Sequence, residues 1–206
     1  MKTINVALNQ KSIDDAIKEL KKAQDQLKGQ MLKEFIDRCC KWIVERANHY
    51  LDIGASKSGG NVIADIKNHW VIEQSTLSQN IFTIKNTSDK AVYVEFGVGI
   101  VGQESPHKMS GEVGYQYNIP TKYKYAGKHH DENTWRFVVS NKDDVDLLEG
   151  NYEEWPKKDG TIKIITRGSP SVMYAYNAVV DAKNMVASGG GVFAQYWAET
   201  LKKYWG

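Results

Sequence analysis

Apolar residues recur every three or four positions from residue 12 to residue 51. This spacing predicts an α-helix, and the Ser12 hydroxyl can cap its first turn. A continuous helix of that length would extend roughly 60 Å at 1.5 Å per residue, which is long for a compact chain of this size. We therefore predict a break near Gly29. The alternative is that the N-terminal part projects from the body and packs against a neighbouring subunit.

The pattern then changes to alternating apolar and polar residues, which predicts strands at residues 70–73, 81–85, 135–139 and 161–166. The first two strands are expected to pair. A short helix at residues 88–96, capped by Ser88, precedes Gly97 and Gly99. Glycine adopts positive φ without strain, so these two glycines are predicted to turn the chain. Residues 103–159 are largely polar and predict a long loop.

Two helices are predicted near the C-terminus. Ser169 is expected to cap the first, with Pro170 at its first helical position, and Gly168 is expected to lie in the preceding turn. Three glycines at 189–191 then predict a flexible joint before an amphipathic helix at 192–205. The aromatic side chains of that helix should be covered either by the body of the same subunit or by a neighbour. We expect a neighbouring subunit or partner, because a joint of three glycines fixes a helix poorly onto its own core. Deletion from Gly190 onward should then leave a folded chain.

These elements predict the α+β class: a small, mainly antiparallel sheet packed by helices, with a long N-terminal helical region and a C-terminal amphipathic helix. The 206-residue length fits a single domain. Its parts are the N-terminal helical region 1–52, an α+β core 62–187 that contains the long loop 103–159, and the C-terminal helix 192–205.

Three sequence boxes carry a resemblance to a known family. They are residues 91–102 (AVYVEFGVGIVG), residues 114–118 (GYQYN) followed by Trp135, and residues 166–178 (TRGSPSVMYAYNA). In this order they resemble the tail-completion, or head-tail joining, family of long-tailed double-stranded DNA bacteriophages. Its members carry VEFGTG, GYDVN-like and TKGMPARPFMYNA-like boxes. The chain departs from the family at Val98, where threonine is usual, at Ser171 and Val172, and in a longer segment between the second and third boxes.

The resemblance implies a structural protein of the virion neck that completes the head-proximal end of the tail and joins it to the head. It implies a ring, commonly a hexamer, which contacts the tail-tube protein and a head-completion protein while genome DNA passes through. The protein would be found in the virion, and in the host cytoplasm during assembly. The expected partner interface consists of Phe96, Tyr174, Phe193, Trp197 and Trp205.

Charge and cysteine content limit the alternatives. The chain carries 27 basic and 25 acidic residues, a net charge of +2, so no strong overall field directs it to nucleic acid. Its only cysteines, Cys39 and Cys40, are adjacent in a helical pattern and are expected to remain reduced thiols in the cytoplasm. Neither an export signal at the N-terminus nor an apolar segment long enough to span a membrane is recognisable, so no membrane association is expected.

Two residue groups suggest other chemistry. His107, His129 and His130, with the neighbouring residues 131–133, form the one cluster that could bind metal, but no motif frames them, and solvated loop histidines are the simpler interpretation. Lys122, Lys124 and Lys128 alternate with tyrosines, as in single-strand nucleic-acid platforms, and are the candidate DNA contact. The acidic residues of segment 143–154 predict a solvated loop. We expect no enzyme, cofactor or metal. The alternative is a DNA-binding or metal-dependent DNA-processing protein.

Overall fold

A computed structural model describes residues 10–54, 60–76, 78, 81–116, 135–139 and 152–205. The helices are α1 (Gln10–Lys28), α2 (Gln30–Gly54), α3 (Gly60–Asn68), α4 (Ala91–Phe96), α5 (Gly99–Glu104), α6 (Ser110–Val113), α7 (Tyr174–Ala187) and α8 (Gly191–Trp205). The strands are β1 (Trp70–Gln74), β2 (Phe82–Asn86), β3 (Trp135–Val139), β4 (Tyr152–Pro156), β5 (Ile162–Thr166) and β6 (Gly168–Ser169). The α+β class is therefore confirmed.

The chain divides into two compact units. Unit 1 comprises Met1–Val44, Val71–Lys85 and Val179–Gly206, and unit 2 comprises Glu45–Trp70 and Asn86–Ala178. The division does not follow the predicted regions, because unit 1 combines N-terminal and C-terminal helices that are distant in sequence. Hydrophobic periodicity reports which face of a helix is buried, but it does not report which other helix covers that face.

In unit 1 the predicted interruption of the N-terminal helix is present at Gly29, a turn residue between α1 and α2. Helix α1 begins at Gln10, before the predicted cap Ser12. Ala16, Ala23 and Met31 are buried.

Helix α8 lies against α2 through aromatic rings. The Phe193 and Trp42 ring centroids are 5.1 Å apart at an interplanar angle of 81°, and those of Trp197 and Phe35 are 5.1 Å apart at 71°. Phe193 is only 8% exposed. The expectation that a partner covers this aromatic face is therefore wrong for Phe193, which is buried against α2 of the same chain. Trp197 packs on Phe35 of α2 and is half-buried, and its place in a partner interface stays a prediction. The Trp205 side chain lies outside the described part of the structure.

The glycines between α7 and α8 form an ordered turn instead of the predicted flexible joint. Gly189, Gly190 and Gly191 have φ of 98°, 93° and 45°. The Gly190 amide donates to the Met185 carbonyl at 2.9 Å, and the Phe193 amide donates to the Gly190 carbonyl at 2.8 Å. Glycine adopts positive φ without the steric cost of a side chain, which explains why glycine occupies all three positions.

In unit 2, β5 is the central strand of a three-stranded antiparallel sheet ordered β3-β5-β4. Ile164 is 0% and Thr166 is 2% exposed, so one face of β5 is covered. The predicted strand at 135–139 is confirmed as β3. The rest of the predicted loop 103–159 is corrected: it also contains α6 and β4, and the acidic residues Glu153 and Glu154 pair with β5 in β4.

The predicted pair of strands near residue 80 is present as β1 and β2. Hydrogen bonds beyond each end, from the Ser75 amide to Ile81 at 2.7 Å and from the Thr87 amide to His69 at 2.9 Å, define an antiparallel register. Helix α3, which precedes β1, was not predicted from the sequence. Helix α4 begins at Ala91 and not at Ser88, whose hydroxyl accepts the Lys90 amide at 3.2 Å.

Candidate functional site

The first and third boxes of the resemblance meet in unit 2 through their backbones. Val98 and Gly99, which follow α4, form antiparallel bridges with Ser169 and Gly168. Val98 is completely buried. Two further bonds extend the contact, from the Val172 amide to the Val94 carbonyl at 3.0 Å and from the Val101 amide to the Arg167 carbonyl at 3.1 Å. Residues 167–172, which precede α7, are therefore hydrogen-bonded through their backbone to residues 94–101 at the end of α4 and the start of α5.

The glycines in these boxes are required by this close approach. Gly97, Gly99 and Gly168 have φ of 78°, 65° and 104°, which agrees with their prediction as turn residues. A Cβ atom added to Gly99 would lie 2.5 Å from the Arg167 carbonyl oxygen, and one on Gly168 would overlap the Val98 carbonyl oxygen. Backbone atoms cannot move aside as side chains can, so glycine is needed here for space as well as for conformation.

Glu95 of the first box caps α7, a helix that begins with residues of the third box. Its carboxylate accepts the Ala175 amide at 2.8 Å and the Tyr176 amide at 2.9 Å. These are first-turn amides that the helix itself leaves unsatisfied, and a negative charge there also interacts favourably with the helix dipole. The predicted cap is corrected: Ser169 lies in β6, and Pro170 lies between β6 and α7 rather than at the first position of the helix.

The start of α7 also carries local backbone strain. Among the described residues, Met173 is the one non-glycine residue with a positive φ, at 54°. Its amide donates to the Glu95 carbonyl at 3.1 Å, and the Ser171 hydroxyl donates to the same carbonyl at 2.5 Å. A methionine in this conformation costs on the order of 1 kcal/mol or more, and the surrounding hydrogen bonds offset that cost.

His107 is the second buried polar side chain at this site. Its Nε2 lies 3.0 Å from Glu95 Oε1, and its Nδ1 accepts the Met109 amide at 3.0 Å. Because Nδ1 accepts a hydrogen bond, we assign the proton to Nε2, which then donates to the carboxylate. The two side chains are 2% and 10% exposed. His107 was grouped with loop histidines from the sequence, and that grouping is wrong in this respect: it is a buried partner of Glu95.

Three aromatic rings surround this pair. The Phe96 ring lies 4.2 Å from the His107 ring and 4.7 Å from the Tyr115 ring, and the Tyr176 ring meets His107 edge-on at 5.3 Å. The Tyr115 hydroxyl donates to the Gly97 carbonyl at 2.8 Å, which attaches the second box to the first. We call Glu95, Phe96, His107, Tyr115 and Tyr176 the Glu95 cluster.

Tyr174 adjoins the Glu95 cluster and is 2% exposed. Its hydroxyl donates to the Ala91 carbonyl at 3.2 Å, and its ring meets that of Trp70 edge-on at 6.0 Å. Burial, with a smaller contribution from the Glu95 carboxylate, raises the pKa of the Tyr174 phenol far above its ordinary value. Tyr174 therefore belongs to the interior of unit 2, which corrects its assignment to a partner interface. Phe96 is half-buried, with its ring between His107 and Tyr115.

The Glu95 cluster has the composition of an acid–base pair but not its geometry. A catalytic carboxylate and imidazole need a free nitrogen or oxygen directed at a substrate. Here the carboxylate accepts three N–H groups, and both imidazole nitrogens are hydrogen-bonded. The arrangement is suited to holding α4, α7 and the segment between α5 and α6 in one position, and we assign it that structural role.

The other candidate groups form no reactive or metal-binding site among the described residues. Within the described ranges no three histidine, cysteine or acidic side chains come close enough to hold a metal ion. Cys39 is half-buried and Cys40 is buried, and burial raises the pKa of the Cys39 thiol to about 11. Both are therefore protonated thiols near neutral pH, as expected of unreactive structural cysteines. Lys122, Lys124, Lys128, His129 and His130 lie outside the described residues.

Sequence reasoning found the glycines of this site but missed its polar centre. Glu95 was treated as one residue of a short helix, although its carboxylate bonds amides 80 and 81 positions away. No local spacing rule connects residues so far apart. The available signal was a single acidic residue between apolar neighbours, directly before a glycine turn, which is typical of a buried carboxylate that needs donors.

The chain was compared with protein-family models, curated proteins and solved structures. No protein-family model matches the chain, and no curated protein or solved structure matches it. Across the part of the chain that the structure describes, no helix is both long and apolar enough to cross a membrane.

Proposed function

We propose that this protein is a structural component of a bacteriophage neck, which completes the head-proximal end of the tail and joins the tail to the head. One observation carries the proposal: all three boxes of the resemblance supply partners to one set of hydrogen bonds. Glu95 of the first box caps the helix of the third, and Tyr115 of the second bonds Gly97 of the first.

Because residues of each box hydrogen-bond to residues of another, we treat the three boxes as one family motif and not as three separate short matches. Short motifs that match a family by chance have no reason to converge in space. Residues that a fold requires together do converge, because each satisfies a buried polar group or a tight backbone turn of another. The three boxes also contain the glycines Gly97, Gly99 and Gly168, whose positive φ and close contacts admit no other residue.

A non-enzymatic role is part of the proposal. It is supported by the Glu95 cluster, where the polar side chains are occupied with backbone groups and are almost inaccessible to a substrate. The partners we propose are further copies of the chain in a ring, as the resemblance to ring-forming proteins implies, together with the tail-tube protein and a head-completion protein. A hexamer is the expected ring.

The proposal can be tested in the phage or prophage genome that carries the gene. A stop codon early in the gene should yield DNA-filled heads and separate tails in induced lysates viewed by electron microscopy. Wild-type protein supplied in trans should restore joined virions. The Gly160→Ala variant should restore them too, because a Cβ at Gly160 meets nothing within 4 Å, whereas Gly168→Ala should not.

Two outcomes would contradict the proposal. Joined, infectious virions in normal number without the protein would exclude a role in joining. Heads that lack DNA, with genome left unpackaged, would instead indicate the alternative, a protein that binds or processes DNA. In that case the purified protein should bind DNA with an affinity that falls steeply as salt increases.

A further inference from the structure

Helix α1 carries an apolar stripe that the rest of the described chain leaves half open. Ile13, Ile17 and Leu20 are 39%, 46% and 57% exposed, whereas Ala16 and Ala23 on the adjoining line are 9% and 6% exposed. Residues at this spacing lie on one face of a helix. Ala16 and Ala23 are therefore covered within unit 1. Ile13, Ile17 and Leu20 remain as a contiguous, half-exposed apolar patch, as is typical of an interaction surface.

The charges that border this stripe are arranged symmetrically about Ile17. Asp14 and Lys21 are exposed and lie two turns apart on the same side of α1, next to the stripe. One is near the start of the stripe and has a negative charge, and the other is near its end and has a positive charge. When a second α1 is placed on the stripe in the opposite direction, Asp14 of each copy lies beside Lys21 of the other.

We propose that α1 docks in antiparallel orientation on α1 of a second copy of this chain, with Ile17 at the two-fold axis. A two-fold interface must be self-complementary, and the opposite charges of Asp14 and Lys21 at the two ends of the stripe meet that requirement. In a parallel pair the flanks that carry Asp14 and Lys21 would lie on opposite sides of the seam, so that neither charge would meet its opposite in the other copy. Three half-exposed aliphatic side chains bury less than the ~1,200 Å² of a stable specific interface, so the pair is weak and reversible.

Covalent trapping is the appropriate test for a weak pair. In the purified full-length chain, Ile17→Cys should give a disulfide-linked dimer on mild oxidation, because two copies of residue 17 face each other across the axis. Lys22→Cys is the matched control, since Lys22 is exposed on the same helix but points away from the stripe. We expect at least about tenfold more dimer from Ile17→Cys, measured on non-reducing gels. Wild-type protein gives the background from Cys39 and Cys40.

Charge reversal in the Ile17→Cys background tests the direction of pairing. Asp14→Lys and Lys21→Asp should each lower the dimer yield several-fold, because each places like charges together at both ends of the stripe. The double variant restores opposite charges in the antiparallel arrangement and should restore the yield. Circular dichroism should show equal helix content in all variants, since both side chains are exposed.

The outcomes separate this proposal from the neck function. Equal trapping by Ile17→Cys and Lys22→Cys would overturn it, as would trapping that the double charge reversal fails to restore. If Ile17→Cys forms no dimer, the stripe belongs to a different partner and the proposal is wrong. The test uses only purified protein, so its failure leaves the neck proposal standing: ring contacts join two different surfaces and do not need a two-fold pair.

Discussion

In unit 2, the segments around α4 and α7 approach until backbone atoms touch, whereas in unit 1 α2 and α8 meet through side chains. The first contact depends on Gly168, whose added Cβ would overlap the Val98 carbonyl. The second depends on ring pairs such as Phe193 with Trp42, 5.1 Å apart. A backbone contact cannot adjust to a new atom, but a side-chain contact can repack at a moderate cost. The two units should therefore differ in what they tolerate.

The units differ also in how they use charge. The Glu95 carboxylate is buried and bonded to three N–H groups, so removal of its charge leaves donors without partners. The ion pairs between α2 and α8, Arg38 with Glu199 and Lys203 with Glu34, are largely exposed. Exposed pairs contribute little to the free energy of unfolding because water screens them.

The largest expected effect is at Gly168. The Gly168→Ala variant should lose at least about 3 kcal/mol of unfolding free energy, or fail to fold, because strain and a backbone clash add together. Gly160→Ala is the control: Gly160 also has a positive φ, of 82°, but its added Cβ meets nothing within 4 Å. It should cost about 1 kcal/mol. Urea unfolding measures both, and similar losses would mean that the backbone contact does not control stability.

The next effect is at Phe193, whose truncation leaves a cavity against Trp42. We expect Phe193→Ala to lower the free energy of unfolding by about 3 kcal/mol. The control is Val186→Ala, at a position 63% exposed, which should lower it by less than about 0.5 kcal/mol.

Deletion from Gly190 onward should unfold unit 1, contrary to the expectation from the sequence. A truncated chain that melts like the full-length protein would show that α8 is not part of the core.

The sequence predicted those elements whose signals are local. Helix periodicity and a single glycine were enough for α1, α2 and the break at Gly29, and alternation was enough for β3 and the β1–β2 pair. Helix α3 and strand β4 were missed. Strand β4 contains Glu153 and Glu154, which disfavour a strand by propensity, and it forms because β5 pairs with it. Tertiary pairing overrode local preference there.

Within the candidate site, the sequence predicted the glycine positions but not the polar contacts. Gly97, Gly99 and Gly168 were identified because glycine itself signals a special backbone angle. The role of Glu95 was not identified, because its partners are amides, which every residue carries and no sequence pattern reveals. Ser169 was predicted as the helix cap because a serine before a proline is a valid local signal. In the structure the Glu95 carboxylate, which is distant in sequence, accepts the first-turn amides of α7 instead.

A smaller effect is expected from the buried charge. Glu95→Gln keeps the shape of the side chain but replaces one acceptor oxygen with an NH₂ group, which faces N–H donors. We expect a loss of about 2 kcal/mol, as for hydrogen bonds to a charged group. Glu104→Gln is the control, since Glu104 pairs with Arg167 in solvent, and it should cost less than about 0.5 kcal/mol. Equal losses in urea unfolding would remove the distinction between buried and exposed charge.

The smallest effect concerns the exposed ion pair of unit 1. The Arg38 guanidinium, with help from the Gln195 amide, holds the pKa of the Glu199 carboxyl below its ordinary value of 4.5. Because the folded-state pKa is the lower one, the stabilisation is complete above pH 4.5 and is lost as the pH falls through the folded-state pKa. NMR titration of the Glu199 carboxyl should therefore show a midpoint below 4.5, and Arg38→Met should raise it. Lys41→Met, which removes another exposed cation of α2, should leave that midpoint in place. If both variants raised the midpoint equally, the lowered pKa would come from the general charge of α2 and not from the Arg38 contact.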